Sequence, residues 1–109
     1  MDVNFKKAIE WYEKAAKRGY AKAQSNLGVM YYNGNGVDVD YKKAIEWYEK
    51  AAEQGDAGAQ YNLGGMYYLG QGVDQDDSMA MRWYVKASAH GHEHAQARIG
   101  GLLAKRRVS

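Results

Sequence analysis

Residues 41–76 read YKKAIEWYEKAAEQGDAGAQYNLGGMYYLGQGVDQD, and their reading decides the fold. Laid over residues 5–40, this stretch is identical at 26 of 36 positions; its first 33 residues match 77–109 at 10 positions. Trp11, Trp47 and Trp83 stand 36 residues apart, as do Gly19, Gly55 and Gly91. The pairs Ala23-Gln24, Ala59-Gln60 and Ala95-Gln96 keep the same step. A fixed period across the whole chain marks a repeat architecture, with units at about 5–40, 41–76 and 77–109. The last unit has drifted.

Each unit reads as two helices. In 41–54, Ala44, Ile45, Trp47, Tyr48, Ala51 and Ala52 recur at helical spacing, with Lys and Glu between them, which is the pattern of an amphipathic helix. Asp40 precedes it as an N-cap and Gly55 follows as a left-handed stop. Asp56 caps the next helix, whose apolar positions are Ala59, Leu63, Met66 and Tyr67, and Gly70 ends it. Gly70 and Gly72 then permit positive φ in the connecting loop. Asn4, Gly19, Gly34 and Gly36 do the same in the first unit. Six helices follow, at about 5–18, 21–33, 41–54, 57–69, 77–90 and 93–106. A lone helical pair cannot bury its apolar face, but stacked pairs can, so the expected fold is all-α, a superhelical solenoid forming one domain over 1–109.

Composition excludes several functions. Fifteen Lys and Arg against 13 Asp and Glu give a net charge of +2. Lys105, Arg106 and Arg107 supply that excess at the C-terminal end, where cations face the negative pole of the last helix. No nucleic-acid partner is expected. With no Cys, disulfides and thiolate chemistry are absent; the lack of Pro suits a helical chain. No apolar run reaches the length of a membrane span, so a soluble chain is expected. Residues 1–18 carry no apolar signal segment. The residues do not fix a compartment.

Leu27-Gly28-Val29-Met30-Tyr31 and Leu63-Gly64-Gly65-Met66-Tyr67 match the L-G-x₂-Y element of tetratricopeptide repeats, and Ala44 with Tyr48 and Ala80 with Tyr84 match its A-x₃-aromatic element. The period of 36 is longer than the tetratricopeptide repeat. The segments Tyr31–Val37 and Tyr67–Val73, each with a Gly-x-Gly-Val loop, and the helix carrying Trp47-Tyr48-Glu49-Lys50-Ala51-Ala52 resemble the Sel-one-like repeat family. The resemblance covers essentially the whole chain. The third unit departs from it: Leu102-Leu103-Ala104-Lys105-Arg106 replaces the glycine loop, which looks like a terminal cap. The chain also opens on the second helix of a pair. That fits either a native half-repeat used as a cap or part of a longer array.

The resemblance implies a scaffold or adaptor that holds a partner protein or peptide, with no catalytic activity and no cofactor. It also implies that helices 21–33, 57–69 and 93–106 line a concave groove, with the tryptophan helices behind. Helical geometry then turns Asn26, Tyr32 and Asn33, Tyr61, Asn62 and Tyr68, and Arg98 and Lys105 toward that groove. Asn26, Asn62 and Arg98 form one ladder, and Tyr32, Tyr68 and Ala104 another. A carboxamide both donates and accepts, which suits a bound peptide backbone, and Tyr offers large contact area with a hydroxyl. The alternative is that Asn26 and Asn62 bond neighbouring helices while the tyrosines fill gaps. Both remain open at this level. The tryptophans read as inter-repeat packing.

His90-Gly91-His92-Glu93-His94 has metal-ligand residue types, but sits in one turn without an H-E-x-x-H helix and is a weak candidate at His90, His92 and His94. The aspartates after the Gly-x-Gly loops do not fit a calcium loop, and those loops have no preceding strand and no Lys-Ser/Thr to cradle phosphate. No Ser has a patterned His and Asp, and Glu10 and Glu46 are helix-surface equivalents of Arg82. Cysteine-rich relatives of the resembled family have been linked to cell-wall or β-lactam chemistry, but this chain has none of their cysteines. A homo-oligomer, end to end or through the groove, is the alternative to a foreign partner.

Overall fold

A computed structural model describes residues 4–108. They form six helices: α1 (Phe5–Lys17), α2 (Ala21–Asn33), α3 (Tyr41–Glu53), α4 (Ala57–Leu69), α5 (Asp77–Ala89) and α6 (Ala95–Val108). No strand occurs among the described residues. The all-α solenoid expected from the period is what forms, with principal extents of 48 × 26 × 25 Å. The first five helices fall within a residue of their expected bounds. The sixth starts two residues late. His92 stands where Asp56 caps α4, and its Nδ1 accepts from the His94 backbone N–H at 3.3 Å, so the turn extends before the helix begins.

The punctuation repeats with the period. The side chains of Asn4, Asp40, Asp56 and Asp76 each accept from the backbone N–H three residues on, at 2.9–3.1 Å. That satisfies one orphan donor at four helix starts, a contribution of about 1 kcal/mol each. The tryptophan helices end alike: Tyr20, Asp56 and His92 donate back to Ala15, Ala51 and Ala87 around glycines at φ of 92–94°. After α2 and α4 the loop is closed by Asp40 N–H to Tyr31 C=O and Asp76 N–H to Tyr67 C=O, both 2.9 Å.

Packing is continuous along the stack. Ile9, Ala16, Ala23, Leu27 and Met30 form the first buried cluster. Ala44, Ile45, Tyr48, Ala51, Ala52, Ala59, Leu63 and Met66 form the second, and Ala80, Tyr84 and Leu102 the third. Trp47 packs back on the first cluster and Trp83 back on the second, so two of the three tryptophans join repeats as expected. Trp11 does not: it is largely exposed.

The Leu-Gly motif acquires its physical reason here. A Cβ on Gly28 would lie 2.5 Å from the Tyr48 ring, and one on Gly64 2.6 Å from the Tyr84 ring. The missing side chains admit a tyrosine from the next unit. Buried Gln24 and Gln60 add a polar seam: their Nε2 atoms donate to Ala16 and Ala52 C=O at 3.1 and 3.0 Å. Their Oε1 atoms meet Gln54 Nε2 at 2.8 Å and His90 Nδ1 at 3.1 Å in the following unit. Both ends of each buried amide are thus satisfied.

Candidate functional site

One face of the stack, formed by α2, α4 and α6, carries a cleft. One part, about 350 Å³, is walled by Tyr32, Tyr61, Asn62, Tyr68 and Arg98, with Tyr48 and Tyr84 from α3 and α5 reaching through between the helices. A second hollow of about 470 Å³ shares Tyr68, Tyr84 and Arg98 and continues along α6 past Ala97, Gly101 and Ala104 to Lys105. No carboxylate lines either part. Six of the eight groove residues read from the sequence therefore meet on one surface: Tyr32, Tyr61, Asn62, Tyr68, Arg98 and Lys105. Asn26 and Asn33 do not. Asn26 is half-buried on α2, and Asn33 is exposed at its last turn.

The walls are held by hydrogen bonds of their own. Tyr32 donates its hydroxyl to Gln71 Oε1 at 2.8 Å, tying α2 to the loop after α4. Arg98 Nε donates to the Tyr61 hydroxyl at 3.0 Å. Lys105 pairs with Asp77 at 2.8 Å and lies over the Tyr68 ring at 5.6 Å. Tyr61 also meets the Tyr84 ring at 5.5 Å and is stacked by the His92 imidazole at 4.1 Å.

Electrostatics keep the cleft neutral to cationic. Burial pushes the Tyr48 phenol well above its ordinary value, with Tyr32 adding to the shift and a hydrogen bond from Asn62 opposing it. Burial likewise raises Tyr84, helped by Tyr61 and opposed by Arg98. Both phenols stay protonated across the ordinary pH range and act as neutral donors. The hydrogen bond to Asp77 raises Lys105, and the same pair lowers Asp77. The Asn62 amide lines the cleft beside Tyr48, and its hydrogen bond to that phenol opposes the effect of burial.

Tyr48 and Tyr84 went unrecognised as cleft residues because the sequence places them on the tryptophan helices. The signal was present: each stands 20 residues after the Gly of a Leu-Gly pair. Gln71 carries no sequence signal for its bond to Tyr32. The histidine turn does not assemble a metal site. No group of three or more His, Cys, Asp or Glu placed to hold a metal occurs among the described residues. His90 is engaged through Nδ1 with Gln60 and with Lys86 C=O, and His92 is spent on Tyr61.

These features define an α-α repeat solenoid with an aromatic, cation-edged cleft. The chain belongs to the Sel1 repeat family, whose description matches residues 1–20, 21–56 and 57–92. It is similar to the crystal structure of a Sel1 repeat protein from Oxalobacter formigenes, at 43% identity and a TM-score of 0.85 over 89% of this chain and 40% of that one. It is also similar to a protective antigen of uropathogenic Escherichia coli strains displaying an SLR fold, at 41% identity and a TM-score of 0.91 over 94% of this chain and 22% of that one. A third similarity is to cysteine rich protein B of Helicobacter pylori, at 30% identity and a TM-score of 0.82 over 87% of this chain and 71% of that one. No curated protein matches. The chain spans well under half the length of the first two relatives. Sel1 repeats generally serve as protein-interaction scaffolds. No helix among the described residues is long and apolar enough to cross a membrane.

Proposed function

We propose that the α2–α4–α6 cleft holds an extended peptide segment of a partner protein. The observation that carries this reading is the convergence of Tyr32, Tyr61, Asn62, Tyr68 and Arg98 on one concave surface without a carboxylate. Tyrosines supply contact area at low entropy cost, and Arg is the cation most often found at interface hot spots. The Asn62 carboxamide presents a donor and an acceptor to a peptide backbone. Tyr32, Arg98 and Lys105 are fixed by their bonds to Gln71, Tyr61 and Asp77, so the cleft orders few side chains on binding.

The test is a peptide selected from a random library on this chain, then titrated calorimetrically against Asn62→Ala with Tyr68→Ala. Losing two central contacts should weaken binding roughly tenfold or more, at about 1 kcal/mol each, while the melting temperature barely moves. Unchanged affinity would remove the cleft as the binding site. A large fall in melting temperature would instead assign both side chains to packing.

A further inference from the structure

We infer that the α6 part of the cleft reads acidity: Arg98, flanked by Lys105, takes an aspartate or glutamate side chain of an extended partner peptide, beside an apolar side chain seated in the hollow along α6. This rests on the reading of the cleft as a peptide groove and names the kind of peptide it selects.

The two hollows are repeat equivalents. A step of 36 residues carries Tyr32 and Tyr48 of the first onto Tyr68 and Tyr84 of the second. Along the lining helix, the same step turns Tyr61 and Tyr68 into Ala97 and Ala104, Asn62 into Arg98, and Leu69 into Lys105. The hollow with two fewer rings is the larger, at about 470 against about 350 Å³. Its lining includes Leu102, 4% exposed, so the space freed is partly apolar. In the first unit the two charged positions are Asn26 and Asn33, so the groove side runs from uncharged to doubly cationic along the stack. The first hollow stays open although α5 and α6 follow it. A further unit therefore does not close a hollow of this kind.

The charge in the second hollow is uncompensated at Arg98. No carboxylate lines the hollow, and the groups acting on this guanidinium are the phenols of Tyr61, Tyr84 and Tyr68. Its Nε donates to the Tyr61 hydroxyl at 3.0 Å, which holds the planar group at the edge of the cleft. A guanidinium anchored through Nε keeps a fork of terminal nitrogens whose geometry matches a carboxylate. Lys105 stands two turns further on, about 10 Å along the helix axis. It pairs with Asp77, which lies outside the lining, at 2.8 Å. Asp77 thus offsets the charge of Lys105 and leaves Arg98 as the principal reader. A basic peptide side chain placed here would meet two cations, which excludes it by repulsion.

The test screens random dodecapeptides on this chain, all C-terminally amidated so that side chains carry the only carboxylates. The tightest binders are resynthesised with Asn and Gln in place of Asp and Glu, and each pair is titrated calorimetrically. The wild type should bind the acidic form roughly fivefold tighter than the amide form, and less so as salt rises. Arg98→Gln should lose that preference while binding the amide form about as the wild type does. Asp77→Asn, which frees Lys105, should enlarge the preference. A merely structural role for either residue would not couple it to the charge of the peptide. Binders weakened by Asn62→Ala with Tyr68→Ala, yet equal in acidic and amide forms, would overturn the acid-reading subsite and leave the peptide groove standing. So would a preference undiminished in Arg98→Gln. Binders indifferent to every cleft substitution, or no binder at millimolar peptide, would overturn both.

Discussion

Gly64 and Gly100 occupy the same repeat position and should respond oppositely to the same change. In a helix interior, Ala is favoured over Gly by about 1 kcal/mol. At Gly64 the added methyl would meet three atoms of the buried Tyr84 ring, at 2.6, 2.7 and 3.1 Å. That ring is confined by Tyr61 at 5.5 Å and cannot swing aside. Overpacking of this sort costs about 1–3 kcal/mol and outweighs the gain in propensity. Gly64→Ala is expected to lower the melting temperature in a thermal scan, whereas Gly100→Ala is not. Equal stabilisation of both would mean that the ring does not depend on the glycine. The residues read as groove-facing divide by a similar local logic. Asn62 lines the cleft beside Tyr48; Asn33, exposed at the last turn of α2, is not among its walls.

At the scale of the element, the turns are where the three units differ most. Arg18-Gly19-Tyr20, Gln54-Gly55-Asp56 and His90-Gly91-His92 share one backbone shape and different chemistry. The last turn carries a titratable side chain packed on the neighbouring unit. The imidazole of His92 lies flat on Tyr61, 4.1 Å between centroids, and its Nδ1 accepts a backbone N–H. Burial holds its pKa below the ordinary 6.5, His94 adds repulsion and Glu93 opposes both. The neutral ring is therefore the folded-state form, and the unfolded chain takes up the proton first. This contribution to stability is present above pH 6.5 and is lost as pH falls below it. Between about pH 7 and about pH 5 the melting temperature should fall further for the wild type than for His92→Phe, which keeps the stack without the titration. The effect is modest, because the ring keeps a solvent-facing edge. Parallel curves for the two proteins would detach the turn from the titration.

At the scale of the whole molecule, stability is distributed unevenly along the stack. The α3–α4 region holds the largest buried cluster and is flanked by a unit on each side. The α5–α6 cluster has three buried members, and α6 shows an exposed outer face. Repeat arrays behave nearly as a sum of units and nearest-neighbour interfaces, so units with one neighbour open first. Native-state hydrogen exchange should find the amides of Leu63 and Met66 among the slowest and those of α6 markedly faster. Uniform protection across the six helices would contradict this order.

The period of 36, the bounds of the first five helices, the carboxylate and carboxamide caps and the stop glycines were all legible in the residues. Each is a local matter of periodicity, φ or a bond three residues away. The aromatic and cationic types of the cleft were legible too, since helical spacing alone turns Tyr61, Asn62 and Tyr68 to one side. What the sequence could not show is how residues far apart in the chain divide the space between helices. Tyr48 and Tyr84 reach the cleft because Gly28 and Gly64 let the next helix approach. His92 is drawn onto Tyr61, away from a metal-like cluster. Trp11 stands open, though it belongs to the same string that packs Trp47 against the first cluster. Identical residues meet different fates because burial depends on what packs against a face, and only the tertiary structure decides that.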